Sequence, residues 1–274
     1  MTINCKGSLI DLSIPKVMGI LNITPDSFYD GGKYKDEDEI IKQTEKMLKE
    51  GASFIDIGAY SSRPGADHIS QEEEKARILP IVELLIKRFP EILISIDTFR
   101  SSIAKACIES GAAIINDISA GNLDDQMIAC VGTLQVPYIM MHMRGTPQTM
   151  KSLDQYNDLF NDINLYFSQK IATARKHGIN DIIIDPGFGF AKNSAQNFEL
   201  LKNMSLIAIH EVPILAGLSR KSMIYKTLDT KPSEALNGTT VLNTIALLNN
   251  ASILRVHDVK EALECITLVQ QLKH

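Results

Sequence analysis

The sequence predicts one (β/α)8 barrel preceded by an N-terminal β-hairpin, and three observations point to it. Short apolar, β-branched-rich runs recur eight times, at residues 17–23, 54–58, 93–97, 113–118, 138–142, 181–185, 214–217 and 253–257. Helical patterns lie between them, and no break in composition divides the 274 residues into separate domains. The first run passes straight into Asn22-Ile-Thr-Pro-Asp-Ser27, without the glycine fingerprint that usually follows the first strand of the competing doubly wound sheet.

Residues 3–13 alternate weakly around Lys6-Gly7, which reads as the hairpin. In the first helix Ile40, Ile41, Thr44, Met47 and Leu48 share a face, and Gly51 stops it. Ser70 and Glu73 form a capping-box pattern ahead of Ile78, Ile81 and Leu85, and Pro80 is expected to kink that helix or delay its regular part. A short helix over 101–110 is closed by Gly111, and a long one over 156–177 by Gly178. Helices over 233–250 and 259–272 complete the set.

Composition excludes several classes. A net charge of −5 gives no overall basic footprint for nucleic acid, so an anionic substrate must be met by local cations. Cys5, Cys107, Cys130 and Cys265 are scattered without a Cys-x-x-Cys pair and read as reduced thiols rather than staples or zinc ligands. No basic-then-apolar leader is visible, and Asn243, Asn249 and Asn250 interrupt the apolar stretch over 240–254. The expectation is a cytoplasmic protein without a membrane span. P-loop, H-E-x-x-H and EF-hand patterns are absent from the sequence.

In such a barrel reactive groups gather where the strands end. Ile182-Ile-Ile184 reads as a strand buried on both faces; it stops at Asp185, and Pro186, Gly187 and Gly189 break it. The other ends are also polar. They are Asn22, the stretch Tyr60-Ser-Ser-Arg63-Pro-Gly65, Asp97, Asn116-Asp117, His142-Met-Arg144, Ser219-Arg-Lys221-Ser222 and Arg255-Val-His257. Each alone has a structural explanation: Asn116 or Asp117 as turn formers, His142 and His257 as core histidines, Arg220 as a salt-bridged surface residue. Together they sort into two patches. Arg255 and His257 point the same way across the pleat and, with Arg63, make a cationic pocket for phosphate. Asn22 adds a hard oxygen suited to Mg2+ arriving with phosphates. Asp97, Asn116, Asp185 and Lys221 offer acceptors and one cationic donor to a flat heterocycle bearing adjacent N–H groups, such as a guanine or a pterin.

The chain resembles the dihydropteroate synthase family. The resemblance lies in Met18-Gly-Ile-Leu-Asn22-Ile-Thr-Pro-Asp-Ser-Phe28, Ser62-Arg-Pro-Gly65, Ile96-Asp-Thr98, Asn116-Asp-Ile118, Met141-His-Met143, Asp185-Pro-Gly-Phe-Gly189, Gly217-Leu-Ser-Arg-Lys221-Ser222 and Arg255-Val-His257. These run in order through nearly the whole chain. Tyr60 stands where many members have Glu, and Ser62 where Thr is commoner, so Tyr60 is given no role. The resemblance implies condensation of 4-aminobenzoate with hydroxymethyl-dihydropterin pyrophosphate, with Mg2+ as cofactor. It implies that Asp97, Asn116, Asp185 and Lys221 hold the pterin and that Asn22 binds the metal. It assigns the pyrophosphate to Arg63, Arg255 and His257, and the aminobenzoate to Ser62, Pro64, Phe190 and Ser222. It also implies a homodimer, with the late helices as the place to look, and an aminobenzoate site that is a target for sulfonamides. Two rivals remain: a pterin barrel that passes a methyl group to a corrinoid protein, and a barrel that binds without catalysing. The first would lack the pyrophosphate loops, and the second would lack activity.

Overall fold

The computed structural model describes residues 1–23, 33–60 and 69–272. Strands β1 (Thr2–Cys5) and β2 (Ser8–Asp11) form an antiparallel hairpin in which Thr2 faces Asp11 and Cys5 faces Ser8. Its two turn residues, Lys6 and Gly7, both have positive φ, 53° and 83°, as the tight turn matching strand twist requires.

Eight parallel strands then close in the order β10-β3-β4-β5-β6-β7-β8-β9. They are β3 (Lys16–Asn22), β4 (Phe54–Gly58), β5 (Ile94–Asp97), β6 (Ile114–Asp117), β7 (Tyr138–Met141), β8 (Ile182–Asp185), β9 (Ile214–Ala216) and β10 (Ala251–Val256). The expected runs match these strands to within two residues at either end. The helices are α1 (Lys33–Lys49), α2 (Gln71–Arg88), α3 (Ser101–Glu109), α4 (Met127–Leu134), α5 (Leu159–Lys176), α6 (Ser194–Lys202), α7 (Ser222–Tyr225), α8 (Leu236–Leu248) and α9 (Val259–Gln271).

Side chains alternate across each strand. Val17, Ile55, Ile57, Ile94, Ile115, Met140, Ile184 and Leu254 face outward into the core shared with the helices. Met18, Phe54, Ile114, Ile139, Ile183, Leu215 and Ile253 face inward, where they pack against Ile3, Cys5 and Leu12 of the N-terminal segment. These inward residues lie near the strand starts, so the hairpin plugs the amino-terminal mouth of the barrel. Two residues further along the same inward parity come Asp56, Asn116, Asp185 and Arg255. The apolar plug and the polar cluster are thus successive layers of one interior.

Some local expectations change. α2 runs through Pro80 without a break; Pro80 and Ala76, whose carbonyl loses its partner, both lie on exposed positions where water can serve it. The capping box at its start is half formed: Ser70 Oγ accepts from Glu73 N at 3.1 Å, while the Glu73 carboxylate pairs with Arg77. α5 begins at Leu159 rather than at Tyr156, because Asp158 accepts from Phe160 N and Asn161 N. α8 begins at Leu236, after a 3-10 turn over Pro232–Glu234. Among the described residues no helix is long and apolar enough to cross a membrane.

Candidate active site

Strand register aligns the site. Asn22 lies beside Gly58, Gly58 beside Asp97, and Asp97 beside Asn116, forming one row at the carboxyl ends of β3 to β6. Gly58 keeps the row open, since a Cβ there would stand 3.4 Å from the Asp97 Cβ and 3.6 Å from its Oδ2. On the far side Asp185 closes β8, and Lys221 follows β9.

The centre is an ion-pair network. Arg255 Nε donates to Asp56 Oδ2 at 2.6 Å, and Arg255 Nη2 donates to Asp97 Oδ2 at 2.7 Å. Asn116 Nδ2 donates to the same Asp56 oxygen at 3.0 Å, which leaves the Asn116 carbonyl as the acceptor for a ligand. The other Asp56 oxygen, Oδ1, is buried without a partner among the described residues, an acceptor that a bound N–H would satisfy. Burial pushes the Asp97 carboxyl up to about 7; the Arg255 charge opposes this, and the Asp56 charge adds to it. Burial works against the charge on Arg255 too, but Asp56 and Asp97 outweigh it and fix the guanidinium as a cation.

Asp185 Oδ1 accepts from Gly187 N at 2.7 Å. Burial raises the Asp185 carboxyl, and Lys221, the Gly187 amide, Arg255 and Lys192 act against that rise. Lys221 Nζ donates to the Phe188 carbonyl and lies 4.8 Å from the centre of the Phe190 ring. Burial lowers its ammonium to about 8, with Asp185 pulling the other way. A Cβ on Gly217 would stand 3.9 Å from both Asp185 Oδ2 and Lys221 Nζ, so this bare position lies between acid and base. Phe190 packs with Ile118, Met141 and Met143 into an apolar wall beside these groups. That is a surface for a flat ring whose edge meets the carboxylates.

The two patches expected from sequence are joined. Arg255, expected with Arg63 and His257 to meet phosphate, pairs through Nε with Asp56 and through Nη2 with Asp97, so it bridges the cation patch and the acid cluster. His257 lies at the rim. The Ser219 hydroxyl oxygen accepts from His257 N at 3.2 Å and lies 3.0 Å from His257 Nδ1. Ser219 therefore fixes both the backbone and the ring of that histidine. Ser222 is exposed, and α7, which it opens, has only four residues. The dipole of so short a helix is small and adds little pull on an anion. Ser62, Arg63 and Pro64 lie outside the described residues.

Other polar ends serve the scaffold. Asp117 faces outward and takes hydrogen bonds from Ser119, Gly121 and Tyr138. His142 also faces outward and is buried against Tyr166, Phe167 and Tyr156. Arg220 makes a two-pronged pair with Asp258, at 2.9 and 2.7 Å, as its surface reading expects. The site residue missed in the sequence is Asp56, although an acid inside the run Phe54-Ile-Asp-Ile-Gly58 is itself a signal, since a buried carboxylate needs a partner.

The family described as pterin binding enzyme matches residues 18–257. Dihydropteroate synthase of Escherichia coli is 42% identical over 272 residues, covering 98% of this chain and 96% of that protein. A Yersinia pestis dihydropteroate synthase solved with a sulfonamide drug superposes with a TM-score of 0.93 at 40% identity, over 100% of this chain and 99% of the other. A Xanthomonas albilineans dihydropteroate synthase solved with 4-aminobenzoic acid gives 0.92 at 34% identity, over 99% and 98%. With a closed parallel barrel, inward acids at its carboxyl mouth and matches along its whole length, this chain belongs to the dihydropteroate synthase family of pterin-binding enzymes.

Proposed function

We propose that this protein is a transferase that condenses 6-hydroxymethyl-7,8-dihydropterin pyrophosphate with 4-aminobenzoate, giving 7,8-dihydropteroate and pyrophosphate. The observation that carries the reading is the inward cluster of Asp56, Asp97, Asn116, Asp185, Lys221 and Arg255 beside an apolar wall. Its acceptors suit the N–H-rich edge of a pterin, and Lys221 suits a ring acceptor.

The reaction breaks the carbon–oxygen bond, with the electron pair leaving on pyrophosphate, and forms a carbon–nitrogen bond to the aryl amine. The amine is neutral near pH 7 and loses its extra proton to water after attack, so no strong base is needed. The barrier lies in separating an anion from a cationic pterin. Asp97 is poised for this: positive charge developing on the pterin favours its ionised form. Arg63, Arg255 and His257 are assigned to the departing pyrophosphate, and Ser62, Pro64, Phe190 and Ser222 to the aminobenzoate.

Among the described residues no group of three acids, histidines or cysteines forms a cation cage. Asn22, at the end of β3, offers a single amide oxygen, a donor set that suits a Mg2+ ion bringing phosphate and water ligands with it. When bound, Mg2+ would neutralise charge on the leaving pyrophosphate. The remaining assignments are a cytoplasmic setting, sulfonamides as ligands of the aminobenzoate site, and a homodimer. Val241 and Leu248 on α8, with Leu268 and Leu272 around α9, are exposed leucines and valine that a second copy would cover. Sedimentation at micromolar concentration tests the dimer.

The deciding assay follows pyrophosphate release from the pterin pyrophosphate with and without 4-aminobenzoate. Release that depends on 4-aminobenzoate and yields dihydropteroate supports the assignment. Lack of release, or release indifferent to the amine, refutes it.

A further inference from the structure

Among the buried ionisable groups outside the reaction just described, His142 and Lys192, 1% and 8% exposed, meet each other. His142 follows β7 on its helix-facing side. Lys192 ends the turn that leads from β8 to α6. Its Nζ meets three acceptors, His142 Nδ1 at 3.0 Å and the carbonyls of Gly187 and Phe190, each at 3.1 Å. An ammonium carries three hydrogens and no lone pair, so each hydrogen has one partner, and Nδ1 is the unprotonated nitrogen of the imidazole. Burial, helped by the nearby Lys192 charge, pulls His142 well below its ordinary value and keeps it neutral. The ring is held edge-on to Tyr166, 4.8 Å between centres at 83°.

Both pinned carbonyls belong to the turn that builds the site. Gly187 N donates to Asp185, the Phe188 carbonyl receives Lys221, and Phe190 stands under the Lys221 ammonium. Gly187 has φ +71°, and a Cβ there would lie 2.1 Å from the His142 carbonyl oxygen, so the turn is pressed onto the end of β7. Gly189 N is held by Asn197 at 2.7 Å.

We propose that Lys192, seated on His142, is a positioning residue for the pterin end of the site. It pins the turn that carries Asp185 and Phe190, and below neutral pH, where the acid limb lies, its ammonium supplies a positive charge that keeps Asp185 a carboxylate. This rests on the reading that Asp185 binds the pterin. Lys221 also faces Asp185, but Lys221 is assigned to the ligand, whereas all three Lys192 hydrogens are committed to the turn and to His142. The charged and titratable groups facing Lys192 are Asp185 on β8, Lys221 after β9, and Arg144 and His142 after β7. Burial lowers the Lys192 ammonium to about 7; Asp185 holds it up, and Lys221 and Arg144 oppose.

The test is calorimetric binding of 6-hydroxymethylpterin across a pH series to the wild type, Lys192→Met and His142→Leu, with thermal melts as the folding control. Pterin binding needs ionised Asp185, so it is lost as pH falls through the Asp185 pKa. Removing a cation that stabilises the carboxylate raises that pKa. The acid limb of Lys192→Met is expected to move upward by about one pH unit or more, which makes binding about tenfold weaker on that limb. His142→Leu leaves Lys192 without its third acceptor, favours the neutral amine and moves the limb the same way by less. Should Lys192→Met fail to fold, His142→Leu alone decides. An unmoved acid limb in a folded variant overturns the proposal while the pterin assignment stands. A wild type that does not bind pterin, or binding unaffected by Asp185→Asn, overturns the pterin assignment and the proposal with it.

Discussion

Arg255→Met is the most revealing single change. The side chain of Asp56 is fully buried, that of Asp97 is 18% exposed, and Arg255 is their common counter-ion at 2.6 and 2.7 Å. Removing it leaves two carboxylates facing each other in the barrel interior. Breaking a buried pair from one side costs about 3–5 kcal/mol, well above the roughly 0–1 kcal/mol of a surface pair. The loss depends on pH, and its sign follows from the charges. Without Arg255 the Asp97 carboxyl, already raised by burial, loses the charge that opposes the rise, so its folded-state pKa moves further above its unfolded value. The Asp97 part of the penalty is therefore absent at low pH, grows as pH rises past the ordinary carboxylate range, and reaches its full size only above the raised Asp97 value. Asp97 stands at about 7 even with the arginine present, so the variant's penalty is still growing above neutrality. Each pH unit in the window is worth about 1.4 kcal/mol per proton taken up. Urea unfolding of variant and parent near pH 8.5 and near pH 6 is the assay. The variant is expected to be less stable by about 3–5 kcal/mol at the higher pH, with the gap narrowing by about 1 kcal/mol or more at the lower. Adding Asp56→Asn to the variant should recover part of the loss. A gap that is small, or the same at both pH values, would refute the view that Arg255 chiefly compensates buried carboxylates.

Asp185→Asn exchanges an acceptor oxygen for a donor facing ligand N–H groups, and pterin binding should weaken by roughly 2–4 kcal/mol; calorimetry within twofold of the parent would contradict this. Asn22→Ala should raise the Mg2+ concentration giving half-maximal rate while leaving binding of unphosphorylated pterin unchanged, and superimposable Mg2+ titrations would remove Asn22 as a ligand. Equilibrium binding of 4-aminobenzoate should tighten by about tenfold, about 1.4 kcal/mol of coupling, once pterin, pyrophosphate and Mg2+ are present; equal affinities would mean the aminobenzoate site is complete without them.

The barrel was legible because a strand buried on both faces is apolar over most of its length, and the eight runs stand out against amphipathic helices. The parity of two separates roles within those runs. Arg255 and His257 share the inward parity, whereas His142 shares the outward parity of Tyr138 and Met140, which is why one histidine reaches the mouth and the other only the helices. Pairing across the barrel was not legible. Asp56 and Arg255 meet across 199 positions of sequence, and the parity rule names the face, not the partner. Three helices also went unlisted, one of them the four-residue α7. α4 is apolar along its length and lacks a polar stripe, while α6 carries its signal at one end only, where Asn193 and Gln196 cap each other.

The hairpin plug makes the barrel a blind tube. With Ile3, Cys5 and Leu12 stoppering one end, whatever enters between the strand tips must leave by the same doorway. Traffic through it is last-in, first-out: a molecule seated against Asp56 and Arg255 cannot depart while another covers the rim near His257 and Ser222. A compound lodged at that rim therefore does more than compete for its own place. It corks the vessel, lengthening the residence of whatever already lies beneath it.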